Sequence, residues 1–480
     1  MREPADRKDR AMADTALLEQ IDAWIDEKWE HIVSEIKTLV DIPSQEDLDH
    51  AGPGEPFGPG PHRALLAGLD LCRRLGMDVS DHEGYVGTAD YPGADPTKQI
   101  CQIAHLDTVP CGPGWSQDPH VMTRRDGYLI GRGTLDDKGP FVVGCYAMRY
   151  WHERGAEFPY TMRMILGSNE ETSLKDVEYY LEHFPEPTFL MTPDAEFPVC
   201  YGEKGIYQGV FSSNPIADGR IAAWHAGEAF NAIPTDASIT IRADIETLPP
   251  ADGISLATAG DGLVLISAKG KGGHASMPEG SVNAIGMLVD YLLDNNLVTS
   301  DERRFLKLQK ALIDDYSGAG VGVSATDELF GPLTIIGGMA WRDDDGSLHQ
   351  SVDSRYPTTF SRAQFEEALN ATAARFDASY ETDNDTEPFY IDPNGPEIQK
   401  LIAVYNDITG EDRKPFTIGG GTYAREFKNA AAFGPEMPWK IDPAWVGPMH
   451  GDDEGVSEEL LKTTLKVYIV ALKELMEITY

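Results

Sequence analysis

The chain has 480 residues, 41% hydrophobic and 25% charged, with a formal net charge of −39. That length exceeds one ordinary core and suggests two or three domains. The acidity argues against a nucleic acid or an anionic membrane as partner, since both need a basic face, and it suits the attraction of cations. Five cysteines without a Cys-x-x-Cys pair do not make a disulfide framework. No apolar leader and no run of about 18 apolar residues occurs, so the expected location is the cytoplasm.

In chain order, Leu18, Ile21, Ile25, Trp29, Ile32, Ile36 and Leu39 fall at three- and four-residue steps and predict an amphipathic helix over 15–41. A Gly/Pro loop over 51–61 leads to a second helix near 63–75. The apolar run Ile100-Cys-Gln-Ile-Ala then ends in His105-Leu-Asp107. On a strand, residues i and i+2 share a face. His105 can then coordinate a metal while Asp107 orients the imidazole or polarises the site, although such a pair alone is more often a surface feature.

Asp136-Asp137-Lys138-Gly139 opens a helix with Phe141, Val142, Cys145 and Met148 on it, and acids in that position can simply be caps. A strand over 160–166 delivers Glu170-Glu171, which can take separate roles or merely enrich the first turn of a helix at 173–184. The stretch 187–191 reads as a buried strand that ends at Thr192-Pro193-Asp194. Three apolar strands, each ending in acid or histidine with helices between, predict an α/β domain with a largely parallel sheet flanked by helices. Its site is expected beyond the carboxyl ends of those strands.

From about 202 the texture changes. Ala237, Ile239, Ile241, Ala243 and Ile245 alternate with polar residues, the pattern of a half-buried antiparallel strand. Further strands are expected at 263–266 and 333–336, and helices near 282–295, 302–315 and 361–378, the last with a Ser361/Gln364 capping box. This is read as an α+β domain over 202–385, inserted between 1–201 and 386–480. In the latter part come a helix over 395–408, a glycine loop, His450 with Glu454, and a closing helix capped by Ser457.

Taken together, His105-x-Asp107-x-x-Pro110, Gly131-Arg-Gly-x-x-Asp136-Asp-Lys-Gly139, Glu170-Glu171, Pro193-Asp194, His274-x-Ser-x-Pro278 and His450 with Glu454 resemble the dinuclear metallopeptidases. That family includes carnosinase, aminoacylase and glutamate carboxypeptidase. Gly202-Glu-Lys-Gly205, Arg355-Tyr-Pro357 and Gly420-Gly-Thr-Tyr-Ala-Arg425 are similar to its bacterial dipeptidase V branch. The resemblance spans nearly the whole chain and implies that 202–385 is a lid interrupting the catalytic domain.

It also implies two divalent ions per chain, zinc or manganese, with cobalt suited as well. His105 and Asp194 would hold one and Glu171 and His450 the other, with Asp136 bridging beside a cis peptide to Asp137. Glu170 is implied as general base, Asp107 as the residue orienting His105, and His274 as the lid group stabilising an oxyanion. Asn231, Arg355, Gly420 and Gly421 are implied to grip the substrate's terminal carboxylate. The expected activity is hydrolysis of dipeptides by a monomer, with an N-acyl amino-acid deacylase or carboxypeptidase of the same family as the alternative. Aspartate at position 194 favours the dipeptidase. A non-catalytic relative would lack Glu170 or a ligand, and none is missing.

Overall fold

A computed structural model describes residues 4–480, with side chains from 15 onward. The chain divides into two compact units, one of residues 1–201, 390–416 and 422–480 and the other of 202–389 and 417–421.

The first unit is an α/β fold built on a mixed sheet, with strand order Asp78–His82, Val86–Tyr91, Tyr160–Gly167, Asp95–His105, Phe189–Thr192 and Ala430–Ala432. Its central pairings are parallel. The first two strands form an antiparallel hairpin that joins Tyr160–Gly167 antiparallel, and Ala432 pairs antiparallel with Cys200. The hairpin turns at Glu83 and Gly84, both with positive φ, and the Tyr85 amide donates to the His82 carbonyl at 3.0 Å. Burial on both faces explains the unbroken apolar texture of the central strands: Ile100, Cys101, Ile103 and Ala104 are all fully buried. Register then prepares the site. His105 pairs with Gly167, so the loops that follow these two strands leave the sheet side by side.

Among the described residues six helices belong to this unit: Pro4–Val40, Pro59–Arg74, Lys138–His152, Lys175–His183, Pro396–Thr409 and Glu458–Met476. The long first helix buries Ile21, Ile25, Trp29, Ile32 and Ile36, each such side chain contributing about 2 kcal/mol. Its Trp29 indole donates to Glu458 at 2.6 Å. The closing helix starts where the Ser457 hydroxyl accepts from the Leu460 amide at 3.0 Å, and it buries Leu461, Leu465, Ile469, Leu472 and Met476. No helix among the described residues is long and apolar enough to cross a membrane.

The second unit carries an antiparallel sheet in the order Ile254–Gly260, Leu263–Lys269, Asp236–Arg242, Ile221–Ala226, Ala340–Arg342, Leu348–Tyr356, Gly205–Ser213 and Ala378–Thr386. Helices Ala284–Asp294, Ser300–Ile313 and Arg362–Arg375 share its core with Ile239, Ile241 and Ile266. The alternating strand ends at Arg242 rather than running on through Ile245, because the Asp244 carboxylate accepts from the Glu246 amide and closes a 3-10 turn. The Ser361/Gln364 capping box forms as expected.

Two short stretches fall on the other side of the expected boundary. The strand Ala378–Thr386 carries the second unit past 385. Residues 417–421 cluster with that unit because the Ile418 carbonyl accepts from the Lys204 amide at 2.9 Å and Thr417 donates to the Leu329 carbonyl at 3.0 Å.

Candidate metal centre

The site assembles beyond the carboxyl ends of the parallel strands. His105 is the last residue of its strand and is fully buried. Its Nδ1 lies 3.1 Å from the Asp107 backbone carbonyl, which fixes the ring and leaves Nε2 facing the site. The Asp107 carboxylate stands farther from Nδ1, at 3.6 Å, and accepts instead from the amides of Glu170 at 3.2 Å and Glu171 at 3.1 Å. Asp107 thus orients the histidine through its carbonyl and the paired glutamates through its carboxylate. Burial, partly opposed by His105, pushes its carboxyl up to about 7.

Asp136 is at the centre. Its Oδ1 lies 2.9 Å from His105 Nε2 and its Oδ2 lies 2.8 Å from His450 Nε2, so one carboxylate divides its oxygens between two histidines. Burial acts to raise Asp136, but the hydrogen bonds from His105 and His450 outweigh it and hold the carboxyl well below its usual range. His450 also meets Glu171 Oε2 at 3.1 Å, and Asp194 stands 4.0 Å from His105 Nε2. Burial lowers His450, yet Asp136 and Glu171 raise it to about 11. The Asp136–Asp137 peptide is cis, and the Asp137 carboxylate accepts from the His105 amide at 3.2 Å while its Oδ1 is a buried oxygen without a hydrogen-bond partner. Helix Lys138–His152 begins directly after it, and a side chain at Gly139 would overlap the Thr134 carbonyl, so the turn needs glycine there.

Among the described residues two groups could hold a metal ion: His105, Asp136 and Glu171, and His105, Glu170 and Asp194, each with donor atoms within 4.8 Å of one another. Burial together with neighbouring carboxylates drives Glu170 and Asp194 well above the usual carboxylate range, with His105 opposing. Six acids, Asp107, Asp136, Asp137, Glu170, Glu171 and Asp194, crowd around only two histidines, an arrangement whose ionised form divalent cations would neutralise. The donors are all oxygen or imidazole nitrogen, a set that fits zinc, manganese or cobalt.

The remaining expected site residues lie in the second unit. Asn231 and His274 are brought together there: Ala232 pairs with His274, and the Asn231 carbonyl accepts from the Ala275 amide at 2.9 Å. His274 Nδ1 sits 2.7 Å from the Ser276 hydroxyl. Arg355 is 4% exposed, and its Nε donates to Asp353 Oδ1 at 2.8 Å and its Nη1 to the Gly419 carbonyl at 3.2 Å. Gly420 and Gly421 follow in that same segment, and a Cβ at Gly420 would meet only Ile418, at 3.8 Å.

The sequence reading did not single out three supporting groups. Tyr423 is buried and donates its hydroxyl to Asp176, whose carboxylate also accepts from the amides of Ser168 at 2.7 Å, Asn169 at 3.0 Å and Val177 at 2.7 Å. That pair anchors the loop leading into Glu170 and Glu171, and the Tyr423 ring meets the His105 imidazole edge to face at 6.3 Å. Asp353 braces Arg355. Tyr423 lies inside the stretch Gly420-Gly-Thr-Tyr-Ala-Arg425, which is the signal the sequence offers for it.

The chain is similar to known peptidases along most of its length. A Beta-Ala-Xaa dipeptidase of Lactobacillus delbrueckii subsp. lactis is 31% identical over 468 residues, 93% of this chain and 96% of that protein. Human carnosine dipeptidase 1 shares the fold at 15% identity with a TM-score of 0.59, covering 96% of this chain and 99% of that one. The Saccharomyces cerevisiae di-peptidase Dug1p does so at 12% identity with a TM-score of 0.61 and the same coverage. Residues 102–474 match the model of Peptidase family M20/M25/M40, and the chain belongs to that family.

Proposed function

We propose that the protein is a dinuclear metal-dependent dipeptidase. The observation that carries this reading is the division of Asp136 between His105 and His450, each histidine having a further acid of its own, Asp194 or Glu171. In this reading His105 and Asp194 would hold one ion and Glu171 and His450 the other, with Asp136, which already meets both histidines, shared between them. When bound, the ions supply a Lewis acid for the scissile carbonyl and lower the pKa of the attacking water.

The protein's own groups do the rest. Glu170, buried among carboxylates that raise its proton affinity, takes the proton from water and returns it to the leaving amine. Asp107 keeps Glu170 in place through its amide. The second unit serves as a lid: Arg355, held by Asp353 and Gly419, takes the substrate carboxylate with Asn231, Gly420 and Gly421, and His274 donates to the developing oxyanion. Relatives named as dipeptidases support the substrate class. We further propose a cytoplasmic monomer, which gel filtration tests by elution at the volume of one chain.

The deciding assay uses chelator-stripped protein reconstituted with manganese, zinc or cobalt. Its substrates are a dipeptide, the N-acetylated dipeptide and the tripeptide extension. Cleavage of the free dipeptide alone is expected, and Glu170→Gln is expected to bind metal yet lose about a thousandfold or more in kcat, within the range that acid–base and electrostatic groups supply. Preference for the N-acetyl compound would overturn the dipeptidase assignment in favour of deacylation.

A further inference from the structure

Outside the ligand set, one buried ion pair is tied into both ligand-bearing loops. Arg132 and Glu454 are 1% and 0% exposed, and Arg132 Nη1 donates to Glu454 Oε2 at 2.6 Å. The other oxygen, Glu454 Oε1, accepts from three backbone amides, Gly133 at 3.0 Å, Leu135 at 3.0 Å and Asp136 itself at 3.2 Å. The Glu454 backbone carbonyl accepts from the Gly131 amide at 2.9 Å. Arg132 Nη2 in turn donates to the His450 carbonyl at 3.2 Å. His450 has a positive φ of 59°, a conformation a non-glycine residue keeps only when its surroundings hold it.

We propose that Arg132 and Glu454 are positioning residues that hold Asp136 and His450 at the mutual geometry metal binding requires. A pair serving stability alone needs no more than its own salt bridge. Here the carboxylate aligns the three amides leading into Asp136, and the guanidinium pins the carbonyl of the other ligand, 318 residues away in sequence. Neither side chain is a ligand, and both act through residues that are. Supports of this kind typically change metal affinity by 10- to 100-fold. The inference rests on the metal-centre reading above.

The test is calorimetric titration of the chelator-stripped full chain with zinc and with manganese, alongside its metal-free melting temperature. Glu454→Gln is expected to weaken zinc binding by about tenfold or more. Arg132→Met combined with Glu454→Gln removes both buried charges, so metal-free stability is expected to return toward the parent while zinc affinity stays weak. Asp90→Asn serves as control. It breaks another part-buried pair of this unit, Asp90 with Arg163 at 2.7 Å, and is expected to lower the melting temperature with zinc affinity unchanged. Zinc affinity within threefold of the parent in Glu454→Gln, or restored in the double variant, would overturn the positioning role. A parent chain that takes up no zinc or manganese would overturn the metal centre itself.

Discussion

Replacing Tyr423 by phenylalanine isolates the anchor beneath the paired glutamates. The ring remains, so burial hardly changes, and only the hydroxyl that Asp176 accepts is lost. A hydrogen bond to a charged group contributes about 1.5–3 kcal/mol, and no water replaces the hydroxyl easily, because it packs so closely on Gly167 that a methyl there would overlap it. Asp176 keeps three amide donors, so the loop loosens rather than unfolds. The expected loss of about 2 kcal/mol lowers the melting temperature of metal-free protein by about 4 °C. Because small misplacements of reacting groups are costly, kcat on a dipeptide is expected to fall about 10- to 100-fold with KM within about twofold. A lowered melting temperature with parental kcat would reduce Tyr423 to a packing residue, and parental values of both would refute the anchor.

Asp353→Asn loosens Arg355 and is expected to raise KM about tenfold while kcat stays near the parent, as steady-state kinetics will show. Glu436 is pushed from 4.5 up to about 7, first by burial and then by the Glu196 carboxylate. The folded state therefore holds a proton that the unfolded chain releases, so this group's stabilisation is complete below about pH 4.5 and is lost as pH rises to about 7. At about 1.4 kcal/mol per unit, the loss is up to about 3 kcal/mol. Urea midpoints of the metal-free protein should fall over that range, and Glu436→Gln should flatten the slope. Returning zinc to stripped protein at about a thousandfold over its dissociation constant should restore about 4 kcal/mol of stability, read as a melting shift. No shift would mean that the acidic cluster binds no ion.

Much of the candidate site was legible because its acids and His105 sit in short motifs at strand ends, where His105, Asp136, Glu170, Glu171 and Asp194 each close an apolar run or open a helix. The supports were not, since they are joined across great sequence separations: Arg132 to Glu454 over 322 residues and Tyr423 to Asp176 over 247. The sheet, expected to be largely parallel, is mixed because of the hairpin Asp78–Tyr91, whose short strands lie between more conspicuous signals, and because Ala432 pairs antiparallel with Cys200. The role of Asp107 divided for a local reason. Its strand ends at His105, so the shared-face argument no longer applied two residues later, and its carboxylate turned toward the glutamate amides. Residues 417–421 join the second unit through hydrogen bonds to backbone groups far away in sequence, which composition does not encode.

The division of Asp136 between two histidines also sets a schedule for synthesis. His105 lies 31 residues before it, but His450 follows 314 residues later, after the whole of the second unit has been made. The strand Ala430–Ala432 and the helix Glu458–Met476 are needed to complete the same core. Until His450 has been made, a nascent chain therefore carries a half-built acidic cluster while the whole of the second unit is already available to fold.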